Sequence, residues 1–74
     1  MRTIREIAKE IDSSWSKVNY AARPYLDAMY EMDTVERRYG SDSGKSIVVY
    51  FLSNAQGWRG EDAKRIKKEL NSLI

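Results

Sequence analysis

No cysteine and no histidine occur in the 74 residues. Their absence excludes disulfides, thiol chemistry, Ser-His and Cys-His nucleophile pairs, and the usual transition-metal ligand sets. Neither a metal nor any other cofactor is therefore expected. The opening segment MRTIREIAKEID carries a charge at every second or third position. It has neither the apolar core of a signal peptide nor the length of a membrane span, so a cytoplasmic protein is the expectation. A chain this short makes one domain, residues 1–74, and buries only about 60% of the surface that its unfolded form exposes. With no disulfide or zinc to staple it, packing alone must hold the fold, and a homodimer would add to it.

Proline is almost as scarce. The single Pro24 suits the first turn of a helix, where its missing N–H costs nothing. Net charge is only +2, less than a dedicated nucleic-acid binder concentrates on one face. Its distribution is uneven: residues 1–24 hold five basic and three acidic side chains, residues 25–46 three and five, and residues 59–74 five and three.

The apolar spacing indicates an all-α fold, one compact domain of three to four helices. Ile4, Ile7, Ala8, Ile11, Trp15 and Val18 lie along one helical stripe beginning near Thr3. Asp12, Ser13 and Ser14 compete for backbone hydrogen bonds, and the pattern leaves open whether the helix ends there or continues to about Tyr20. Tyr25, Leu26, Met29 and Met32 give a second apolar face from Pro24 to about Met32. Asp33 with Glu36 resembles a capping box, which predicts one further short turn over 34–39. Residues 46–58, SIVVYFLSNAQGW, carry no charge. They suit a buried strand as well as a helix, but no second strand-like run exists to pair with them. A helix is expected there, capped by Asp42 or Ser43 and ended by Gly57 in a left-handed conformation, with Trp58 folded back on Leu52. Glu61 and Asp62 then open a last helix, with Ala63, Ile66, Leu70 and Leu73 as its apolar stripe. The expected core comprises Ile7, Ile11, Leu26, Met29, Val48, Phe51, Leu52, Ile66 and Leu70.

Motifs for chemistry are thin. Asp27 and Glu31 stand four apart, a spacing open to acid and base roles but more often solvated surface. GSDSGKS at 40–46 has one residue too few between its glycines for a nucleotide-binding loop, and no hydrophobic strand precedes it. Helix capping explains it better than anion binding beside Lys45. Residues 4–23 align with a helix-turn-helix in which Ser14, Ser16, Lys17, Asn19 and Tyr20 would face DNA, most naturally as a dimer. That alignment departs from the pattern at Asp12, where a turn glycine is usual, and at Ser13, where an apolar residue is usual. A single amphipathic helix is the competing reading. Lys64, Arg65, Lys67 and Lys68 form a basic face suited to phosphates or an acidic protein surface, partly matched by the pairs Glu61–Arg65 and Arg65–Glu69.

Aromatic content is the last signal: five Tyr, two Trp and one Phe exceed what one small core can hold. Exposed Tyr and Trp with Arg is the composition of protein-binding surfaces, which singles out Arg37, Arg38, Tyr39, Trp58 and Arg59. The runs ARPYLDAM at 22–29 and YGSDSGKSIVVYFLSNAQGWRGEDAKRIKKEL at 39–70 resemble a group of small hypothetical proteins carried by bacterial phages and other mobile elements, over roughly residues 15–70. The resemblance implies a compact helical protein in a mobile-element setting and carries no activity with it. With catalysis nearly excluded, the expected function is stoichiometric protein binding to host machinery, a host protein or ribonucleoprotein, as an anti-CRISPR or similar inhibitor binds. The alternative is a helix-turn-helix-like DNA-binding regulator.

Overall fold

In the computed structural model, residues 2–36, 38–39 and 42–74 are described, with the side chains of Tyr39 and Asp42 outside that description. Among them run α1 (Ile4–Ser14), α2 (Arg23–Met29), β1 (Arg38–Tyr39), β2 (Asp42–Ser43), α3 (Gly44–Ser53) and α4 (Glu61–Leu73). The domain is all-α. The two strands are a two-residue antiparallel ladder, Arg38 opposite Ser43 and Tyr39 opposite Asp42.

Thr3 starts α1. Its hydroxyl accepts the Glu6 N–H at 3.1 Å, and the Glu6 carboxylate accepts the Thr3 N–H at 2.9 Å, so two helix-end donors are satisfied reciprocally. The next two donors reach across the molecule: Ile4 N–H donates to the Asp33 carbonyl at 3.1 Å and Arg5 N–H to that of Met32 at 2.9 Å. The segment after α2 is thereby bonded to the start of α1. The helix ends at Ser14, so the stripe does not continue helically to Val18. Trp15 and Val18 nevertheless pack against the core from the connection that follows. An Asx-type bond organises that connection, the Asn19 side-chain oxygen accepting the Ala21 N–H at 2.7 Å.

Helix α2 begins with Arg23 and Pro24 and ends earlier than its apolar spacing predicts, at Met29, although Met32 is fully buried beyond it. No helical turn forms over the described part of 34–39. The Glu36 N–H is taken by the Thr34 hydroxyl at 3.1 Å, and the Asp33 carboxylate pairs with Arg5 at 3.2 Å instead of capping. Ser43 caps α3 through the Ser46 N–H, which settles 46–53 as helix. That helix starts against Val35, whose carbonyl accepts the Lys45 N–H at 3.1 Å.

Two expectations about the 54–60 connection fail. Helix α3 ends at Ser53, with Asn54 closing the turn on the carbonyls of Tyr50 and Phe51, and Gly57 has no positive φ. The positive φ belongs to Gly60, at +117°, directly before α4. Trp58 is 3% exposed and stacks on Trp15, centroids 5.5 Å apart and planes 8° from parallel.

Helix α2 packs on both α1 and α3, and α4 packs on α1. The apolar sides of all four enclose the core. Eight of the nine expected core residues are buried; Leu52 is half-buried, and Ile4, Ala8, Ala22, Met32, Val35, Ile47, Ala55, Trp58 and Ala63 join them.

Candidate partner-binding surfaces

Most arginines are used internally. Arg2 is held by Glu69 and Glu10, and Arg65 by Glu10 and Asp62, so a chain of five charges joins α1 to α4. Hydrogen bonds from Arg65 and Arg2 hold the Glu10 carboxyl below its ordinary pKa. Arg23 binds Asp12 through both terminal nitrogens, at 3.1 and 3.3 Å, and Asp27 through Nε at 3.0 Å. The Tyr30 hydroxyl donates to Asp12 at 2.7 Å. These two bonds, the arginine's first, lower the Asp12 pKa. The Asp27 and Glu31 pair therefore divides: Asp27 serves the junction of α1 and α2 and shares no bond with Glu31. The pairs expected within α4 also form differently, since Arg65 selects Asp62 and Glu10 while Glu69 selects Arg2.

Lys9, Lys17 and Lys45 are exposed outside any ion pair on α1, on the connection after it and on α3, and two further surfaces stand out among the described residues. The first is basic. Arg59, Lys64 and Lys68 are exposed, and no ion pair engages them. Lys67 lies beside them, half-buried, its ammonium donating to the Trp58 carbonyl at 2.6 Å and standing 5.8 Å from the centre of that indole. Burial, then the neighbouring Arg59 charge, lowers its pKa. Lys67 stands close enough to Arg59 to feel its charge, and Lys64, Lys67 and Lys68, at spacings of three and four on α4, lie on adjacent turns of one helix face.

The second surface is uncharged and aromatic. Tyr20 is 90% exposed, Val49 43% and Tyr50 45%. Tyr50 and the half-buried Tyr25 of α2 bring their rings within 5.5 Å. The Asn19 side chain donates to the Asn54 carbonyl at 3.1 Å, which ties the segment bearing Tyr20 to the end of α3. From Ser46 to Trp58 no charged residue occurs.

The residues singled out from sequence distribute unevenly over these surfaces. Arg59 and the α4 lysines are brought together, while Arg65 is consumed by Glu10. Trp58 is core, not contact surface, because its indole fills the space against Trp15. Arg38 is exposed on β1; Arg37 and the Tyr39 side chain lie outside the described residues. Ser14 ends α1, and Ser16, Lys17, Asn19 and Tyr20 follow in turns rather than a second helix. They present no recognition-helix face, and Asn19 is occupied by structural bonds. The tyrosine surface was missed as a unit, because only the packing of α2 on α3 unites Tyr25 with Tyr50.

No group of three or more acidic side chains suited to a metal occurs among the described residues, and no helix there is long and apolar enough to cross a membrane. An open cleft of about 360 Å³ lies between the start of α1, residues 33–36 and the end of α4. Of its charged members Arg2, Asp33 and Glu36, the first two are already paired. The chain matches no family model, and neither a curated protein nor a solved structure matches it significantly.

Proposed function

We propose that this protein is a non-enzymatic, cytoplasmic binding protein of a phage or other mobile element. It acts by stoichiometric contact with an acidic surface of a host protein or ribonucleoprotein, in the manner of an anti-CRISPR or similar inhibitor. The basic field of Arg59, Lys64, Lys67 and Lys68 carries this reading. Arg2, Arg23 and Arg65 are neutralised by carboxylates, whereas these cations are kept free of them, and unpaired like charges add self-repulsion that a complementary surface relieves. The mobile-element setting rests on the resemblance over residues 15–70. The helix-turn-helix alternative loses the element on which it rested, since residues 15–22 are not helical.

The test is capture of host proteins by the tagged full chain, with and without nuclease, beside a Lys64→Glu, Lys68→Glu variant. The wild type should retain a discrete protein, after nuclease treatment for a protein partner and before it for a ribonucleoprotein, and the variant should lose about tenfold or more in affinity, equivalent to about 1.4 kcal/mol. Retention of nucleic acid with no discrete protein, or duplex DNA binding that falls steeply with salt, overturns the reading in favour of nucleic acid. Repeated captures that recover nothing overturn it as well.

A further inference from the structure

We infer that Lys67 is a positioning residue of the basic field: its ammonium holds the Trp58 carbonyl, and fixing that peptide aims Arg59 outward at the partner's acidic groups. Lys67 itself then makes no contact with the partner. The inference deepens the proposed function and rests on it in one respect, that the field meets acidic groups.

Arg59 stands where the chain restrains itself least. Glycines lie two residues before it and directly after it, Gly57 with open space around it and Gly60 at φ +117°, and glycine has the widest choice of backbone conformations. The Arg59 side chain is exposed and enters no ion pair among the described residues, so it does not anchor its own backbone. Its neighbours are anchored. Trp58 is buried, its ring stacked on Trp15 and its N–H donating to the Ala55 carbonyl at 3.0 Å. On the other side the Gly60 carbonyl accepts the Lys64 N–H at 3.0 Å as α4 begins. Between these anchors, the peptide joining Trp58 to Arg59 is held by one hydrogen bond among the described residues, from the Lys67 ammonium to the Trp58 carbonyl at 2.6 Å.

A peptide unit is planar, so holding its carbonyl oxygen also holds the Arg59 nitrogen and Cα that lie in the same plane. The donor is charged, which makes this bond stronger than one between neutral groups. Lys67 donates it from a half-buried position, whereas Lys64 and Lys68 are exposed. The three lysines of this face therefore divide their work, one turned inward on the connection and two left to solvent. The same ammonium stands 5.8 Å from the centre of the Trp58 indole. It thereby takes the ring on which a neighbouring arginine would otherwise stack, and like-charge repulsion keeps the Arg59 guanidinium from folding back there.

Two measurements on the full chain test the inference. In nitrogen-15 relaxation of the free protein, the Arg59 amide should be as rigid as those of α4, with an order parameter of about 0.85. Lys67→Met and Lys67→Leu keep an apolar stem and remove the donor. Each should lower the Arg59 value to about 0.6 while the α4 amides and the helical circular dichroism stay unchanged. In binding of an oligoglutamate peptide, Arg59→Ala and Lys67→Met should each weaken affinity roughly two- to fivefold. The double variant should bind no more weakly than Arg59→Ala alone, whereas the losses of Arg59→Ala and Lys64→Ala should multiply, as those of independent contacts do. An Arg59 amide that is mobile in the wild type, or equally rigid in the Lys67 variants, overturns the inference. So does a multiplied loss in the Arg59→Ala, Lys67→Met double variant, since Lys67 would then touch the peptide itself. A wild type that does not bind the peptide counts against the acidic-partner reading instead, and the Arg59 amide still decides the role of Lys67, so the two proposals fail separately.

Discussion

At Gly60 the backbone has φ +117° and ψ 179°, a region essentially reserved for glycine, where a side chain costs on the order of 1–3 kcal/mol. Gly60→Ala should therefore lower the melting temperature by roughly 4–8 °C per kcal/mol lost in a domain of this size. Gly57 has open space around a would-be Cβ and no positive φ. There Gly57→Ala should be neutral or raise stability by about 0.4–1 kcal/mol, through the unfolded chain. Thermal melts of the two variants should move apart in sign or clearly in size. Gly44 is constrained by contact rather than dihedral: a Cβ would stand 2.8 Å from the Val35 backbone. Because backbone cannot swing aside as a side-chain tip can, Gly44→Ala should destabilise by about 1–3 kcal/mol, checked by urea unfolding. Sequence alone assigned the left-handed conformation to Gly57, three residues before the glycine that adopts a positive φ, and gave no sign that Gly44 is a point of close contact. The path of residue 35 past residue 44, and the direction in which the chain enters α4, are tertiary facts.

Elements were more legible than their junctions. The start of α1 near Thr3, a cap at Asp42 or Ser43 and the acidic opening of α4 are local signals complete within four residues and were legible, whereas the capping box expected at Asp33 and Glu36 did not form and the one at Thr3 and Glu6 was not read from the sequence. The end of α2 was misjudged, and that of α1 left open between Asp12–Ser14 and Tyr20, because apolar spacing continues past both. Trp15, Val18 and Met32 are buried by connections that fold back, not by further helix. Ion pairs were misjudged for the same reason. The partners of Arg65 and Glu69 lie 55 and 67 residues away, beyond any i to i+4 rule. Those long-range pairs have a pH signature. Glu10 and Asp12 are held below their ordinary carboxyl values when folded, so near pH 4 the unfolded chain binds more protons than the folded one. Their contribution is present above that range and is lost as pH falls through the folded values. Melting temperature should therefore drop on acidification below about pH 4.5, and Glu10→Gln should flatten that slope while lowering the plateau at neutral pH. An acid limb unchanged by Glu10→Gln would show that the clamp between α1 and α4 contributes nothing.

For the whole molecule, the all-α class and most of the core were readable, since periodicity reports burial directly. The candidate surfaces were readable only in part. Arg59 and the α4 lysines are close in sequence and were found together, while Tyr25 and Tyr50 come from two helices and meet only through the packing of α2 on α3. Lys64 and Lys68 take no part in the internal pairing, unlike Lys67, so Lys64→Glu with Lys68→Glu should change the melting temperature little, within the roughly 0.5 kcal/mol typical of surface substitutions.

The indole stack of Trp15 on Trp58 has an optical consequence. Both tryptophans of the chain sit ring against ring with their planes nearly parallel, and each belongs to a different interhelical connection. Their transitions couple at 5.5 Å, so excitation is shared and near-ultraviolet ellipticity reports the stack itself, not two independent chromophores. Undocking of either connection separates the pair and extinguishes that signal while the helices and their far-ultraviolet bands persist. The protein thus carries an unlabelled gauge of loop docking, readable apart from helix content.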